Sequence, residues 1–265
     1  MSLMEQWDTK FSIHRVDSEG DTLLIAAARY GETRNAAYLI GKGVRVDHQN
    51  HKGADALMMS AEFGRTKIVK MLLQKRKLIV KQQDVAGFNA LMFAVCGGHI
   101  EIVDLLIQTR APIDHQNKVG RNAVMMAADR EQYAILETLL QRGAKADLSD
   151  KHGLTALMMA RTPQTAELLI NYGAHVAQED ELGNTPLMWA AFRGKLDVVQ
   201  LLLEKGANPK KRNRMKQNAF DLAKMQKRSE VMDFLKAWSS PQEFAADEST
   251  EGILSKSGQV KRKQP

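Results

Sequence analysis

The side chains in this sequence that could carry out chemistry are seven histidines, one cysteine and a group of cations near the C-terminus. His48 and His115 stand in two copies of an Asp-His-Gln-Asn segment, a pattern that would suit metal ligands only if the two segments met. Cys96 has no partner in a recognised nucleophile pattern. No phosphate-binding glycine loop, His-Glu-x-x-His motif or cysteine pair occurs. We therefore expect no enzyme activity, no cofactor and no bound metal.

The cations near the C-terminus lie between residues 210 and 228, where eight Lys and Arg residues and Asp221 sum to +7, the net charge of the whole chain. We define the basic patch by seven of them: Lys210, Lys211, Arg212, Arg214, Lys216, Lys227 and Arg228. Positive potential steers association with acidic surfaces and with nucleic acid. Three interpretations stay open: a solvated end of the fold, a docking surface for an acidic protein, and a site for nucleic acid or nuclear import.

Composition limits the compartment and the class of protein. One cysteine in 265 residues excludes an internal disulfide framework and fits a reducing environment. No stretch approaches 18 consecutive apolar residues, so no membrane span is predicted. The first 16 residues mix charged with apolar side chains and do not form an export signal. We expect a cytoplasmic protein, with nuclear or secreted-effector use left open.

The elements that must position these side chains repeat with a period of about 33 residues. A glycine marks the same place in six copies, at Gly20, Gly53, Gly87, Gly120, Gly153 and Gly183, and Lys216 takes that place in the seventh. Two positions later stands a residue that can cap a helix through a side-chain oxygen: Thr22, Asp55, Asn89, Asn122, Thr155, Thr185 and Asn218. Apolar residues at helical spacing follow each cap. The pattern indicates seven stacked units of two short helices.

These motifs resemble those of the ankyrin-repeat family. Gly20 to Gly31, Gly53 to Gly64 and Gly183 to Gly194 follow its Gly-x-Thr-Pro-Leu-His-x-Ala-Ala-x-x-Gly pattern, and the resemblance covers residues 17 to 238. It implies an all-α repeat fold, a solenoid of about seven helix-turn-helix units with hairpin-like loops, capped at both ends. The units start near residues 17, 50, 84, 117, 150, 180 and 213. Residues 1–16 are then an N-terminal cap, and residues 239–265 a disordered tail with a basic end.

Departures from the family pattern predict local features. Where the family usually has histidine, six units have an apolar residue, which predicts an apolar ladder in the core: Ile25, Met58, Met92, Met125, Met158 and Met188. The next position in register is expected to be core as well: Met59, Phe93, Met126, Met159 and Trp189. The fifth unit is three residues short and lacks the glycine turn, with Thr162 and Pro163 starting its second helix. This predicts a clipped connection and a notch in the concave face.

The resemblance also implies where partners bind, because hairpin tips and the last residues of the first helices line the concave face in this family. Aromatic and arginine side chains at nominally exposed positions are typical of interface hot spots. The predicted partner-binding residues are Tyr30, Phe63, Phe88, Arg121, Arg130, Phe192 and Arg193. Packing against the neighbouring hairpin is the alternative role for each of them.

The sequence therefore predicts a monomeric, non-enzymatic scaffold that binds one or more proteins on its concave face. Nothing in the residues names the partner or says whether binding inhibits, recruits or protects it. The alternative function is binding of nucleic acid or an acidic surface through residues 210–228.

Overall fold

The computed structural model describes residues 13 to 75 and 80 to 239. These ranges contain fourteen helices in seven pairs and three isolated β-bridges. The helices are α1 (Leu23–Tyr30), α2 (Thr33–Gly41), α3 (Ala56–Glu62), α4 (Thr66–Lys75), α5 (Ala90–Gly97), α6 (Ile100–Gln108), α7 (Ala123–Asp129), α8 (Tyr133–Gln141), α9 (Ala156–Met159), α10 (Pro163–Asn171), α11 (Pro186–Arg193), α12 (Leu196–Glu204), α13 (Ala219–Met225) and α14 (Ser229–Ser239).

The pairs stack in chain order, with odd-numbered inner helices in one layer and even-numbered outer helices in the other. Each inner helix packs against the next inner helix and against its own outer helix, and outer helices pack in the same way. The core between the layers is continuous along the stack, and the predicted apolar ladder from Ile25 to Met188 is buried in it. The prediction of an all-α repeat solenoid is confirmed.

Capping residues set where each inner helix begins. The side-chain oxygen of all seven predicted caps accepts a hydrogen bond from the backbone N–H three residues later. Each such cap contributes about 1 kcal/mol to helix stability. Lys216, which replaces the marker glycine of the last unit, keeps the left-handed backbone of those glycines, with φ 62°. The unit geometry therefore survives where the glycine does not.

Each unit opens with a hairpin-like loop, which we call a finger, and the first residue of every finger is Asp or Asn: Asp17, Asn50, Asp84, Asn117, Asp150, Asp180 and Asn213. Its side-chain oxygen accepts the backbone N–H groups two and four residues later, at 2.7 to 3.1 Å. At each of the six junctions between fingers, one backbone N–H donates to a carbonyl of the preceding finger, at 2.9 to 3.1 Å, beginning with His51 to Glu19 and ending with Arg214 to Leu182. The fingers are therefore joined into a hydrogen-bonded row.

The fifth unit is clipped, as predicted. Its inner helix α9 has four residues, whereas the other inner helices have seven or eight. Ala160 then adopts an extended backbone (φ −57°, ψ 136°), and Thr162 caps α10 with Pro163 as its first residue. The chain thus enters the outer helix without the turn that the other units make.

The ends of the chain lie largely outside the described residues. Only residues 13 to 16 of the predicted N-terminal cap and Ser239 of the predicted tail fall within them. The division of the chain into cap, repeat domain and tail therefore stays a prediction. No helix in the described ranges combines the length and the apolar content needed to cross a membrane.

Candidate protein-binding surface

The fingers and the inner helices bound one side of the stack, which we call the inner face. Phe88 and Arg121 lie at its finger edge, directly before the caps of α5 and α7. The other five predicted residues lie at its turn edge, where the inner helices end: Tyr30, Phe63, Arg130, Phe192 and Arg193. An inner helix of seven or eight residues separates the two edges by about 10 to 12 Å. The predicted site is therefore two parallel rows of side chains.

At the turn edge, the first two units present aromatic side chains to solvent. Tyr30 is 70 % exposed and Phe63 is 43 % exposed, and Arg130 is exposed in the fourth unit. The third unit has Gly97 at this place, where an added Cβ would lie 2.1 Å from the carbonyl oxygen of Glu62. A side chain is excluded there, so the row is interrupted at one unit.

In the sixth unit, the turn-edge residues form a cluster with partners of its own. The Arg193 guanidinium lies 5.0 Å from the centre of the Trp189 ring and donates to the carbonyl of Met158 in the clipped unit. Phe192 meets the same ring edge-on at 6.0 Å, and the Trp189 Nε1–H donates to Asp180 at 3.0 Å. The expectation that Trp189 is core is wrong: the side chain is half-buried, and its N–H reaches the opening residue of its own finger.

Burial lowers the pKa of Arg193, and the charge of Arg161 lowers it further, while Asp129 opposes the shift. Arginine nonetheless stays charged in proteins at physiological pH. The cluster therefore places a partly desolvated cation between the fifth and sixth units.

At the finger edge, Phe88 and Arg121 are partly exposed and also contact neighbouring side chains. Phe88 is half-buried, with its ring 5.8 Å from that of Phe93, which the sequence placed in the core and which is also half-buried. Arg121 forms ion pairs with Asp150 at 3.7 Å and with Asp129 at 4.0 Å. For these two residues, the packing role that the sequence left open is therefore present.

Apolar side chains at the finger tips belong to the same face, although they are not among the partner-binding residues predicted from the sequence. Val85, Val119, Leu182 and Met215 are 52 to 68 % exposed. Leu182 and Met215 also border an apolar pocket of about 180 Å³ between the last two units, together with Trp189, Phe192 and Met225. The signal that could have found them was an apolar residue at a tip position, where polar residues are usual.

The basic patch is divided by the fold. Residues 210 to 216 form the last-finger segment, which we define as the last finger from Asn213 onward together with the three residues before it. Lys227 and Arg228 lie at the opposite end of α13. Lys211 pairs with Glu179 at 2.7 Å and Arg212 with Asp221 at 3.8 Å, while Arg228 packs on Gly194 and donates to the carbonyl of Phe192 at 3.4 Å. Binding of nucleic acid by this patch stays a prediction.

The residues considered for metal or nucleophile chemistry have structural roles. His48 and His115 each hydrogen-bond the marker glycine carbonyl of the preceding finger, at 3.1 and 2.8 Å, and thereby fasten one unit to the next. In the described ranges, no group of three or more His, Cys, Asp or Glu side chains could hold a metal ion. Burial raises the pKa of the Cys96 thiol, with Arg130 opposing the rise, so it is a poor nucleophile at neutral pH.

Known proteins share the repeat architecture that the helices and fingers define. The family model described as ankyrin repeats (3 copies) matches residues 3–84, 75–150 and 124–213. The chain belongs to the ankyrin-repeat family. Superposition on the crystal structure of the human ASB11 ankyrin repeat domain covers 83 % of this ankyrin-repeat chain and 99 % of the ASB11 chain, with a TM-score of 0.74 and 28 % sequence identity.

Curated relatives match a much smaller part of the chain. Ankyrin repeat family A protein 2 of Homo sapiens, Bos taurus and Mus musculus is 48 % identical over 44 residues, which are 17 % of this chain and 14 % of each relative. The match thus spans about a seventh of those proteins. Ankyrin repeats are in general protein–protein interaction modules, and that general role applies to this chain through the family.

Proposed function

We propose that this ankyrin-repeat protein is a non-enzymatic scaffold that binds another protein on its concave inner face. The observation that carries the proposal is the row of large apolar side chains left exposed at turn and tip positions, among them Tyr30, Phe63 and Leu182. Single exposed apolar residues are normal on a protein surface, but a set aligned along one face marks an interaction site. Aromatic side chains with solvent access are also the residues on which binding energy concentrates.

The hydrogen bonds that fix the fingers of the inner face support the proposal. Every finger is fixed by its opening Asp or Asn and by one backbone hydrogen bond to the preceding finger. A surface fixed before binding loses little conformational entropy when a partner docks, so more of the contact energy contributes to affinity. The proposal includes a monomeric state, which leaves the whole face accessible, and a cytoplasmic location, which suits the single thiol. Binding would inhibit, recruit or protect the partner.

A matched pair of triple variants tests the proposal. The inner-face variant carries Tyr30→Ala, Phe63→Ala and Leu182→Ala, and the outer-face variant carries Ile100→Ala, Tyr133→Ala and Tyr172→Ala. The outer-face residues are 42 to 43 % exposed and lie on outer helices or at their ends. Both variants therefore replace one exposed aliphatic and two exposed aromatic side chains.

The measurement is affinity purification with the full chain as bait, followed by identification of the retained proteins. We expect the wild type and the outer-face variant to retain the same protein and the inner-face variant to lose it, with all three chains unfolding at similar temperatures. Retention of the same protein by a folded inner-face variant would show that the concave face is not the binding site.

A further inference from the structure

A second pocket opens at the turn edge beside the clipped unit. It has a volume of about 330 Å³, and we call it the notch pocket; its lining residues are Arg161, Phe192, Arg193, Lys195 and Arg228. These residues come from the fifth, sixth and seventh units. Four of the five carry a positive charge, and they come from three separate parts of the sequence.

The clipped unit explains why the pocket exists. In three other units, the residue after the turn donates to a carbonyl at the end of the preceding inner helix: Arg65 to Arg29 at 3.4 Å, His99 to Glu62 at 2.9 Å and Arg228 to Phe192 at 3.4 Å. Lys195 occupies this register position in the sixth unit. The helix end that it would contact is missing, because α9 stops at Met159. The space that this turn would fill is therefore open, and cationic side chains line it.

The cations of the notch pocket are poorly neutralised. Within the described residues, Arg161 pairs with Asp129 at 3.0 Å, and neither Lys195, Arg193 nor Arg228 forms an ion pair. Arg193 is also partly withdrawn from water and lies near the charge of Arg161. Like charges brought together in a partly desolvated site favour an incoming anion, since it relieves their repulsion.

We propose that the notch pocket binds an acidic segment of the partner protein. Its carboxylates meet Lys195, Arg193 and Arg228, and an apolar side chain rests on Phe192. Guanidinium groups bind carboxylates through paired, charge-assisted hydrogen bonds. The pocket is roughly ten times the volume of a water molecule, which suits several side chains rather than one small ion. The inference rests on the proposed function, because it names the chemistry of the same partner.

A protein segment fits this pocket better than nucleic acid does. Binding of a nucleic-acid backbone needs a positively charged groove that continues along the strand. The notch pocket is a discrete recess, and the cations of the last-finger segment lie at the other end of α13, where Lys211 and Arg212 already have acidic partners.

The test uses a fluorescein-labelled peptide of six glutamates and measures fluorescence anisotropy on the full-length chain at low ionic strength. The pocket variant Lys195→Gln plus Arg228→Gln removes two cations from the notch pocket. The control variant Lys210→Gln plus Arg214→Gln removes two exposed cations from the last-finger segment, so both variants have the same net charge. We expect the pocket variant to bind about tenfold more weakly than wild type and the control variant to change affinity less than about twofold.

Several outcomes would overturn the inference. Equal weakening by both variants would mean that the peptide senses only net charge, and absence of binding to wild type would mean that the pocket takes no acidic segment. The single variant Lys195→Gln covers the case in which Arg228→Gln disturbs the Phe192 contact; it should weaken binding about threefold with an unchanged unfolding temperature.

The chain's own tail also contains acidic residues, and a further variant distinguishes that source. This tail variant neutralises four of them in the full-length chain: Glu243→Gln, Asp247→Asn, Glu248→Gln and Glu251→Gln. Unchanged peptide affinity supports a segment of the partner as the occupant, whereas a severalfold gain would assign the pocket to the tail and overturn the inference. If the peptide binds all variants alike while the inner-face variant still loses its captured protein, the inference fails and the proposed function stands.

Discussion

The finger edge and the turn edge of the inner face are built in different ways. At the finger edge, all seven units have an opening Asp or Asn and a side-chain helix cap, and each of the six junctions between fingers has a backbone hydrogen bond. At the turn edge almost every unit differs, with an aromatic residue in two units, glycine in the third, arginine in the fourth and no turn in the fifth. The finger edge therefore maintains the stack, while the turn edge varies from unit to unit, as is expected of a surface that we propose to bind a partner.

The largest effect is expected from removing an opening residue of a finger. Asn117 is 6 % exposed, and its side-chain oxygen accepts the N–H groups of Val119 and Arg121 at 3.1 and 3.0 Å. Asn117→Ala leaves both donors without this partner, so the free energy of unfolding should fall by about 3 kcal/mol in urea denaturation. A loss below about 1 kcal/mol would contradict the assignment of stability to the finger edge.

A buried carboxylate at the finger edge gives the next largest effect, and it depends on pH. Asp55 is the cap of α3 and is fully buried. Burial raises its pKa to about 7, and this outweighs the hydrogen bonds from the N–H groups of Met58 and Leu57. The unfolded chain has the ordinary aspartate pKa near 4. The folded state therefore holds a proton that the unfolded state releases, and the contribution of Asp55 to wild-type stability falls as pH rises from about 4 to about 7 and then levels off.

Asp55→Asn keeps the capping oxygen and removes the titration. We expect the variant to be more stable than wild type by on the order of 2 kcal/mol at pH 8, with a much smaller difference at pH 4, measured by urea denaturation. The reciprocal change Asn122→Asp, at the buried cap of α7, should introduce the same loss of stability with rising pH. Parallel pH curves for wild type and Asp55→Asn would contradict a raised pKa.

The parts of the fold that were predictable from the sequence are those that depend on the residues of a single unit. The seven caps followed from an oxygen-bearing side chain two residues after a marker position, and the clipped α9 followed from a missing glycine turn. The opening residues of the fingers were missed, although an Asp or Asn stands at every predicted unit start. The half-burial of Trp189 and the notch pocket could not be predicted from the sequence, because both depend on which side chains of neighbouring units meet across the stack.

A smaller effect on stability is expected at the turn edge. Tyr30→Ala combined with Phe63→Ala removes two side chains that are 70 % and 43 % exposed, so the free energy of unfolding should fall by less than about 1 kcal/mol. The same urea denaturation that tests Asn117→Ala measures it. A loss as large as that of the finger variant would mean that these aromatic residues maintain the stack, and the contrast between the two edges would fail.

The smallest effect concerns the one marker position without glycine. Lys216 holds φ 62°, a left-handed conformation that costs a side-chain-bearing residue about 1 kcal/mol and glycine almost nothing. Lys216→Gly relieves this strain but also gives the unfolded chain more freedom, so the net gain in unfolding free energy should be only about 0.5 kcal/mol. Lys210→Gly, at an exposed position of the last-finger segment without positive φ, has no strain to relieve and should instead lower stability by a similar amount. Opposite shifts of the two urea midpoints would show that the last finger keeps the backbone geometry of the others despite its charge. Equal losses of stability would mean that Lys216 has no strain to relieve and that the last finger differs from the others.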